Sequence, residues 1–164
     1  MNVTFEGNTA TGTDVWLTPP YIIEALGEFD LDPCSPINRP WDTAKKHYNI
    51  LDDGLSYEWE GRVWCNPPYG KHTKVWLERC VKHGNAMVLI FARTETRMFF
   101  DHIWDKADGL LFLKGRVRFY TDQGIEKDQN AGAPSVLVAY GDQNAEILRD
   151  CNLEGKFIDL RLMR

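Results

Sequence analysis

The chain has 164 residues, the size of one domain with a substantial core. Hydrophobic residues make up 43% and charged residues 26%, which is typical of globular proteins and not of disordered chains. The formal net charge of −5 excludes a uniformly basic surface, so any phosphate-binding face must concentrate its cations locally. Two short clusters offer such cations: Lys71, His72 and Lys74, and Lys114, Arg116 and Arg118.

Cysteine usage and hydropathy narrow the class of protein further. The four cysteines form no C-x-x-C pair and do not lie near histidines at zinc-finger spacing, so we expect neither a metal site nor a disulfide framework. The longest apolar run, residues 86–92, is too short to span a bilayer, and the start of the chain does not resemble a signal peptide. These features predict a cytoplasmic protein with reduced thiols and no membrane partner.

The first elements are set by proline and glycine. Residues 1–13 are polar and aperiodic, and we expect a mobile arm. Thr18 before Pro19 and Pro20 predicts a helix capped by the threonine, and Gly27 predicts its end.

Alternating strands and helices follow in chain order. We predict a strand over residues 29–32, a loop-rich stretch over 33–60, a strand over 62–65, a helix over 73–83 and a buried strand over 86–91. The remaining predicted elements are a helix over 96–106, strands over 110–113 and 117–120, a loop over 121–134, a strand over 135–140, a helix over 143–150 and a strand over 157–162. This order predicts a single α/β domain over residues 1–164, with a mostly parallel sheet and an antiparallel edge.

The most informative segment is Asn66-Pro67-Pro68-Tyr69, between a predicted strand and a predicted helix. Ligands of open α/β sheets bind beyond the carboxyl ends of the strands, which is where this segment lies. The Asn66 side-chain oxygen and the Pro67 carbonyl can each accept an N–H bond from an exocyclic amine. An amide is not a general base, so the chemistry is polarisation and positioning of the amine, with Tyr69 stacking on an extruded base.

Further segments extend this pattern over most of the chain, from about Asp14 to Tyr140. They are residues 14–20 (DVWLTPP), 30–35 (DLDPCS), 53–55 (DGL), 64–70 (WCNPPYG), 91–96 (FARTET), 114–119 (KGRVRF) and 133–135 (APS). Together they resemble the amino-methyltransferases that modify adenine N6 or cytosine N4, and more closely the small phage-type DNA N6-adenine methyltransferases.

This resemblance implies a Rossmann-like fold, S-adenosylmethionine as cofactor, DNA as partner and a place of action in the bacterial cytoplasm. It implies that Thr18 and Pro19 contact the methionine carboxylate, Asp32 the cofactor's amino group, and Asp53 the adenosine part. The cofactor set that it implies is Trp16, Thr18, Pro19, Asp32, Pro33, Cys34 and Asp53, beside the catalytic set Asn66, Pro67, Pro68 and Tyr69. Where many methyltransferases carry a glycine-rich turn, this chain has Pro33-Cys34-Ser35-Pro36, which gives nicotinamide binding no support.

Four residues are predicted to contact DNA. Arg93 follows the buried strand and is placed to bind a phosphate of the flipped nucleotide, or to pair with Glu95. Arg116 and Arg118 alternate with apolar residues, so they share one face of a predicted strand, which either contacts DNA or protects a sheet edge. Phe119 is expected to flank the cofactor or the base, or to lie in the core.

Several functions remain open from the residues alone. Cytosine N4 methylation uses the same amine geometry, and protein-glutamine methyltransferases are more distant relatives with the same tetrapeptide. A degenerate fold that only binds nucleic acid is a different class. A metal-dependent nuclease lacks a convincing carboxylate cluster, because the adjacent Asp52 and Asp53 point to opposite faces of an extended segment.

Overall fold

The computed structural model describes residues 15–128 and 131–164. The arm predicted over residues 1–13 lies outside them. The strands are β1 (Leu31–Asp32), β2 (Lys46–His47), β3 (Val63–Cys65), β4 (Ala86–Phe91), β5 (Gly109–Leu113), β6 (Ser135–Tyr140) and β7 (Gly155–Asp159). The helices are α1 (Pro20–Leu26), α2 (Thr73–His83), α3 (Arg97–Phe99), continued by a π-helical turn over Phe100–Trp104, and α4 (Asp142–Asp150), with 3-10 turns at Gly54–Ser56 and Leu160–Met163.

The seven strands form one sheet in the order β2-β1-β3-β4-β6-β5-β7. The four strands β2, β1, β3 and β4 are mutually parallel. Strand β6 runs antiparallel to both β4 and β5, and β7 runs antiparallel to β5. The predicted α/β class is confirmed, but the predicted antiparallel edge is too small. The antiparallel part spans half of the sheet because the reversed β6 is inserted between β4 and β5.

Apolar side chains cover both faces of the sheet. Val88 and Ile90 of β4 belong to one buried cluster, which includes Trp76 and Leu77 of α2. Met87 and Leu89, on the other face of β4, pack in a second cluster that α1 and α4 cover. Helices α2 and α1 thus lie on opposite faces of the sheet. The segments that precede them meet at its carboxyl edge, where Asn66 contacts Thr18.

Two predicted helix boundaries are confirmed by their caps. Gly27 follows α1 with φ 84° and Gly84 follows α2 with φ 74°, conformations that favour glycine. The predicted cap of α1 is wrong: Pro19 is the capping residue and makes no side-chain hydrogen bond. Thr18 is instead buried, and its hydroxyl accepts a hydrogen bond from Asn66 Nδ2 at 3.3 Å.

The strand predicted over residues 117–120 is wrong. Only Tyr120 makes bridges, to Leu17 and to Glu126, and no ladder forms. The predicted alternation of side chains persists, since Val117 and Phe119 are buried while the arginines beside them are exposed. The segment therefore lies across the residues that enter the site, instead of extending the sheet. The final strand is also displaced, because the chain enters a 3-10 turn at Leu160.

Candidate active site

A pocket of about 480 Å³ opens beyond the carboxyl ends of β1 and β3. It is lined by all the residues predicted for the cofactor and for catalysis except Pro19: Trp16, Thr18, Asp32, Pro33, Cys34, Asp53, Asn66, Pro67, Pro68 and Tyr69. The chain brings these residues together from four separate segments because β1 and β3 are adjacent and parallel, so the loops after them meet at one edge.

The Asn66 side chain is held in one orientation. Its Nδ2 donates to the carbonyl oxygen of Trp16 at 3.1 Å and to the Thr18 hydroxyl oxygen at 3.3 Å. A carbonyl can only accept, so the amide must turn its NH2 group toward Trp16 and its oxygen away. Among the described residues, no donor binds Asn66 Oδ1. The site thus holds a fixed acceptor beside the pocket.

The two prolines after Asn66 shape the rest of this segment. Both are buried, and the Pro68 carbonyl accepts a hydrogen bond from the Thr73 hydroxyl at 2.5 Å, which ties the segment to the first turn of α2. No described residue donates to the Pro67 carbonyl. Pro67 O and Asn66 Oδ1 are therefore two acceptors available to a ligand in the same short segment.

Tyr69 is packed by a neighbour that sequence reasoning missed. Its ring lies parallel to the ring of Phe91, with centroids 4.0 Å apart and planes 3° apart. The Arg93 guanidinium lies 5.8 Å from the centroid of the Phe91 ring. Burial raises the pKa of the Tyr69 hydroxyl, so the group stays protonated. The only sequence signal for this role of Phe91 is its position as an aromatic residue at the end of a predicted buried strand.

Asp32 ends β1 with a buried carboxylate. Its oxygens accept hydrogen bonds from the Cys34 backbone N–H at 3.1 Å and from the Thr43 hydroxyl. Burial raises the pKa of Asp32 from 3.8 to about 6, although these hydrogen bonds and the nearby Arg39 oppose the shift. A carboxylate held under such conditions is stabilised by any cation that reaches it from the pocket.

His47 of β2 supports Asp32 through Thr43. The backbone N–H groups of Thr43 and Ala44 donate to His47 Nε2 at 3.1 and 3.3 Å, which requires an unprotonated Nε2. Burial, and next Arg39, lower the pKa of His47 to about 4, so the ring is neutral at physiological pH. No sequence pattern indicates this role of His47, because its contact with residues 43 and 44 depends on the path of a loop.

A tight approach of two loops forms another wall of the pocket. A Cβ at Gly54 would lie 2.0 Å from the Pro33 carbonyl oxygen, so only glycine fits there. Asp53 before it has a φ of 58°, and its carboxylate accepts hydrogen bonds from Leu55 N at 3.4 Å and from the Ser56 hydroxyl at 2.6 Å. Asp53 therefore caps its own turn while facing the mouth of the pocket.

The residues predicted for DNA contact do not line the pocket. Phe119 is buried and meets the Trp16 ring edge to face at 5.7 Å, so it supports Trp16 from within the core. Arg93 is exposed at the carboxyl end of β4 and forms no ion pair with Glu95. Arg116 and Arg118 are exposed on the segment that crosses residues 15–18.

These features define a class: a protein with a pocket at the edge of an α/β sheet, in which the Asn66 amide is held through its nitrogen and its oxygen has no donor among the described residues. The chain belongs to the DNA N-6-adenine-methyltransferase (Dam) family, whose model matches residues 7–154. It is thus a DNA adenine-N6 methyltransferase, as the resemblance predicted. No curated protein and no solved structure matches the sequence. No helix of the described residues is long and apolar enough to cross a membrane.

Proposed function

We propose that the protein transfers a methyl group from S-adenosylmethionine to the N6 amine of adenine in DNA, on a Rossmann-like methyltransferase fold, through the pocket beside Asn66. The observation that carries the proposal is the pair of hydrogen bonds from Asn66 Nδ2 (the clamp), which hold the amide at the pocket and leave Oδ1 without a donor among the described residues. The phage-type resemblance supports action in the cytoplasm of a bacterial host.

The pocket suits this cofactor in size and chemistry. Its volume of about 480 Å³ falls in the range of small-molecule sites, roughly 300–1,000 Å³. The buried Asp32 carboxylate offers a counter-charge for an ammonium group. At Gly54 two loops of the pocket wall approach each other with no side chain between them. At the mouth, Ile37 and Ile50 line the pocket yet remain partly exposed, which provides apolar surface for an adenosyl group.

The residues of this chain act by holding the amine. Asn66 Oδ1 and Pro67 O each accept one N–H bond from N6, so the nitrogen becomes more pyramidal and its lone pair is directed into the pocket. Tyr69, fixed in its plane by Phe91, stacks on the extruded base. The cofactor supplies an electrophilic methyl group when bound. Asn66 is an amide and takes no proton, so the amine releases its extra proton to water after the transfer.

Product analysis tests the proposal. The purified protein is incubated with unmethylated DNA and isotopically labelled S-adenosylmethionine, and the DNA is digested and its nucleosides identified by mass spectrometry. We expect labelled N6-methyladenine. Labelled N4-methylcytosine would move the reaction to the other base with the same amine geometry. Absence of any methylated nucleoside, with cofactor binding retained, would contradict a DNA substrate, and absence of cofactor binding would contradict the assignment of the pocket.

A further inference from the structure

The cations near the site fall into two groups that differ in how their charge is used. In the first group, Arg116 Nη1 donates to the Ala131 carbonyl at 3.0 Å and Arg118 pairs with Glu126 at 3.5 Å. Lys114 pairs with an acidic residue at 3.4 Å. Each side chain of this group already contacts an oxygen atom of the protein, so an external anion would compete with that contact.

In the second group, Lys71, Lys74 and Arg93 are exposed, and none of them forms an ion pair with a described residue. A protein with a net charge of −5 has acids enough to pair them. Even Glu95, two residues from Arg93, does not do so. Three exposed cations without acidic partners among the described residues thus lie on the segments that follow β3 and β4: Lys71 and Arg93 on loops, and Lys74 in the first turn of α2.

These three cations border the catalytic segment. Lys71 lies two residues after Tyr69, and Lys74 is in the first turn of α2. Arg93 lies beyond the carboxyl end of β4, where the Phe91 ring connects it to Tyr69. The Arg93 guanidinium lies 5.8 Å from the centroid of the Phe91 ring, and that ring stacks on Tyr69 at 4.0 Å, so Arg93 lies near the aromatic pair that would meet the base.

We propose that Lys71, Lys74 and Arg93 form the surface that receives the backbone phosphates of the strand carrying the target adenine, with Arg93 beside the flipped nucleotide. This rests on the proposed function, since it assumes DNA at the same pocket. It assigns phosphate binding to the loops after β3 and β4 and the first turn of α2, and not to the segment with Arg116 and Arg118. Unpaired cations suit a polyanion because each phosphate contact releases condensed counterions.

The test compares two triple variants of equal charge change. One carries Lys71→Gln, Lys74→Gln and Arg93→Gln, and the matched control carries Lys114→Gln, Arg116→Gln and Arg118→Gln. Binding to a fluorescein-labelled DNA duplex of mixed sequence is measured by anisotropy over a series of salt concentrations, without cofactor. The slope of log K against log[salt] is negative, and each lost phosphate contact lowers its magnitude by about 0.9. We expect the magnitude of this slope to fall by about 2 to 3 in the first variant and to change little in the control.

Steady-state kinetics supply a second readout. In the first variant we expect the KM for DNA to rise more than kcat falls. The same variant with Arg93→Lys in place of Arg93→Gln should recover part of the affinity, because lysine restores the positive charge. The inference is overturned if the slope of the first variant equals that of the wild type, if the control loses as much, or if the wild type binds no duplex. Its failure is distinguishable from failure of the proposed function, because anisotropy reports binding whether or not methylated adenine is formed.

Discussion

The two halves of the sheet are built differently. Strands β2, β1 and β3, which we call the site half, have two or three residues each, whereas β4, β6, β5 and β7, the framework half, have five or six. In the site half β1 stops before Pro33 and β3 stops just before Pro67 and Pro68. Proline cannot donate to a ladder, so the chain leaves the sheet at these points and enters the pocket.

The contents of the two halves differ as well. All six residues of β6 are buried, and their pairing with β4 runs over the full length of both strands. The site half and the segment beside it bury polar groups that belong to the pocket or support it, among them Thr18, Asp32 and Thr43. Both halves contain apolar core, but the only buried ionisable carboxylate among the described residues, Asp32, lies in the site half, where burial of the charged form opposes folding.

The largest expected effect on stability lies in the framework half. Leu137 of β6 is fully buried, so Leu137→Ala should lower the free energy of unfolding by about 2–5 kcal/mol, while kcat per folded molecule stays near the wild-type value. Urea denaturation and initial rates measure the two quantities. The control is Leu162→Ala, at an 83% exposed position, which should change stability by less than about 0.5 kcal/mol. Equal losses at both positions would contradict the role of Leu137 in the core of the framework half.

Asp32→Asn should instead raise the free energy of unfolding at neutral pH. The folded-state pKa is about 6 against 3.8 ordinarily, so the folded protein binds the extra proton between these values and its stability falls as pH rises from about 4 to 6. Above pH 6 the buried charge costs on the order of 3 kcal/mol, at 1.36 kcal/mol per pKa unit. The asparagine variant should therefore be more stable at pH 7.5 and nearly unchanged at pH 4.

Asp32→Asn should also weaken the binding of the cofactor. Calorimetry of the wild type should show S-adenosylmethionine binding more tightly as pH rises through 6, because the ionised carboxylate attracts the ammonium group. The asparagine variant should bind more weakly and lose this dependence. A variant that is neither more stable at pH 7.5 nor weaker in binding would show that Asp32 is not the buried counter-charge.

Gly54→Ala should damage the pocket at a moderate cost in stability. Its Cβ would lie 2.0 Å from the Pro33 carbonyl, so the two loops must separate, at about 1–3 kcal/mol. We expect cofactor affinity to fall at least tenfold, measured by tryptophan fluorescence quenching. Gly132→Ala, whose Cβ would meet open space, is the matched control. Unchanged affinity in Gly54→Ala would show that this wall does not contact the cofactor.

Thr18→Val should give the smallest effect. It removes one of the two acceptors that hold Asn66 Nδ2 and keeps the shape of the side chain. A typical hydrogen bond contributes about 0.5–1.5 kcal/mol, so kcat should fall by a few-fold to about tenfold. Thr18→Ser keeps the hydroxyl and should retain most of the rate. Equal rates in the valine and serine variants would show that the clamp is not needed.

Much of the framework was predictable, because local pattern and tertiary packing agree there. Helix α2 has the predicted bounds, and β4 and β6 are the apolar runs expected of buried strands. The pattern failed where long-range contacts decide. Residues 117–120 alternate like a strand, but Tyr120 pairs with Leu17 beside the pocket and no ladder forms. Thr18 is a residue type common at helix caps, but its hydroxyl accepts a hydrogen bond from Asn66.

The residues of the site were more predictable than its geometry. The tetrapeptide beginning at Asn66 and the acid at Asp32 are local signals, and the fold places both in one pocket. The support from His47 and Phe91 depends on contacts across loops and strands that no local pattern encodes. The extent of the antiparallel half likewise depends on β6 entering between two earlier strands, which is a topological choice.

The most direct test of the central claim is the single-turnover rate of methyl transfer to DNA by Asn66→Ala, compared with the wild type and with Asn66→Asp. The alanine variant lacks the acceptor that the clamp directs to the amine, so we predict a rate lower by roughly 10²–10³-fold, with cofactor and DNA affinities nearly unchanged. Asn66→Asp keeps an acceptor but loses the donor to Trp16, and should be intermediate. A rate for Asn66→Ala within a few-fold of the wild type would contradict the mechanism.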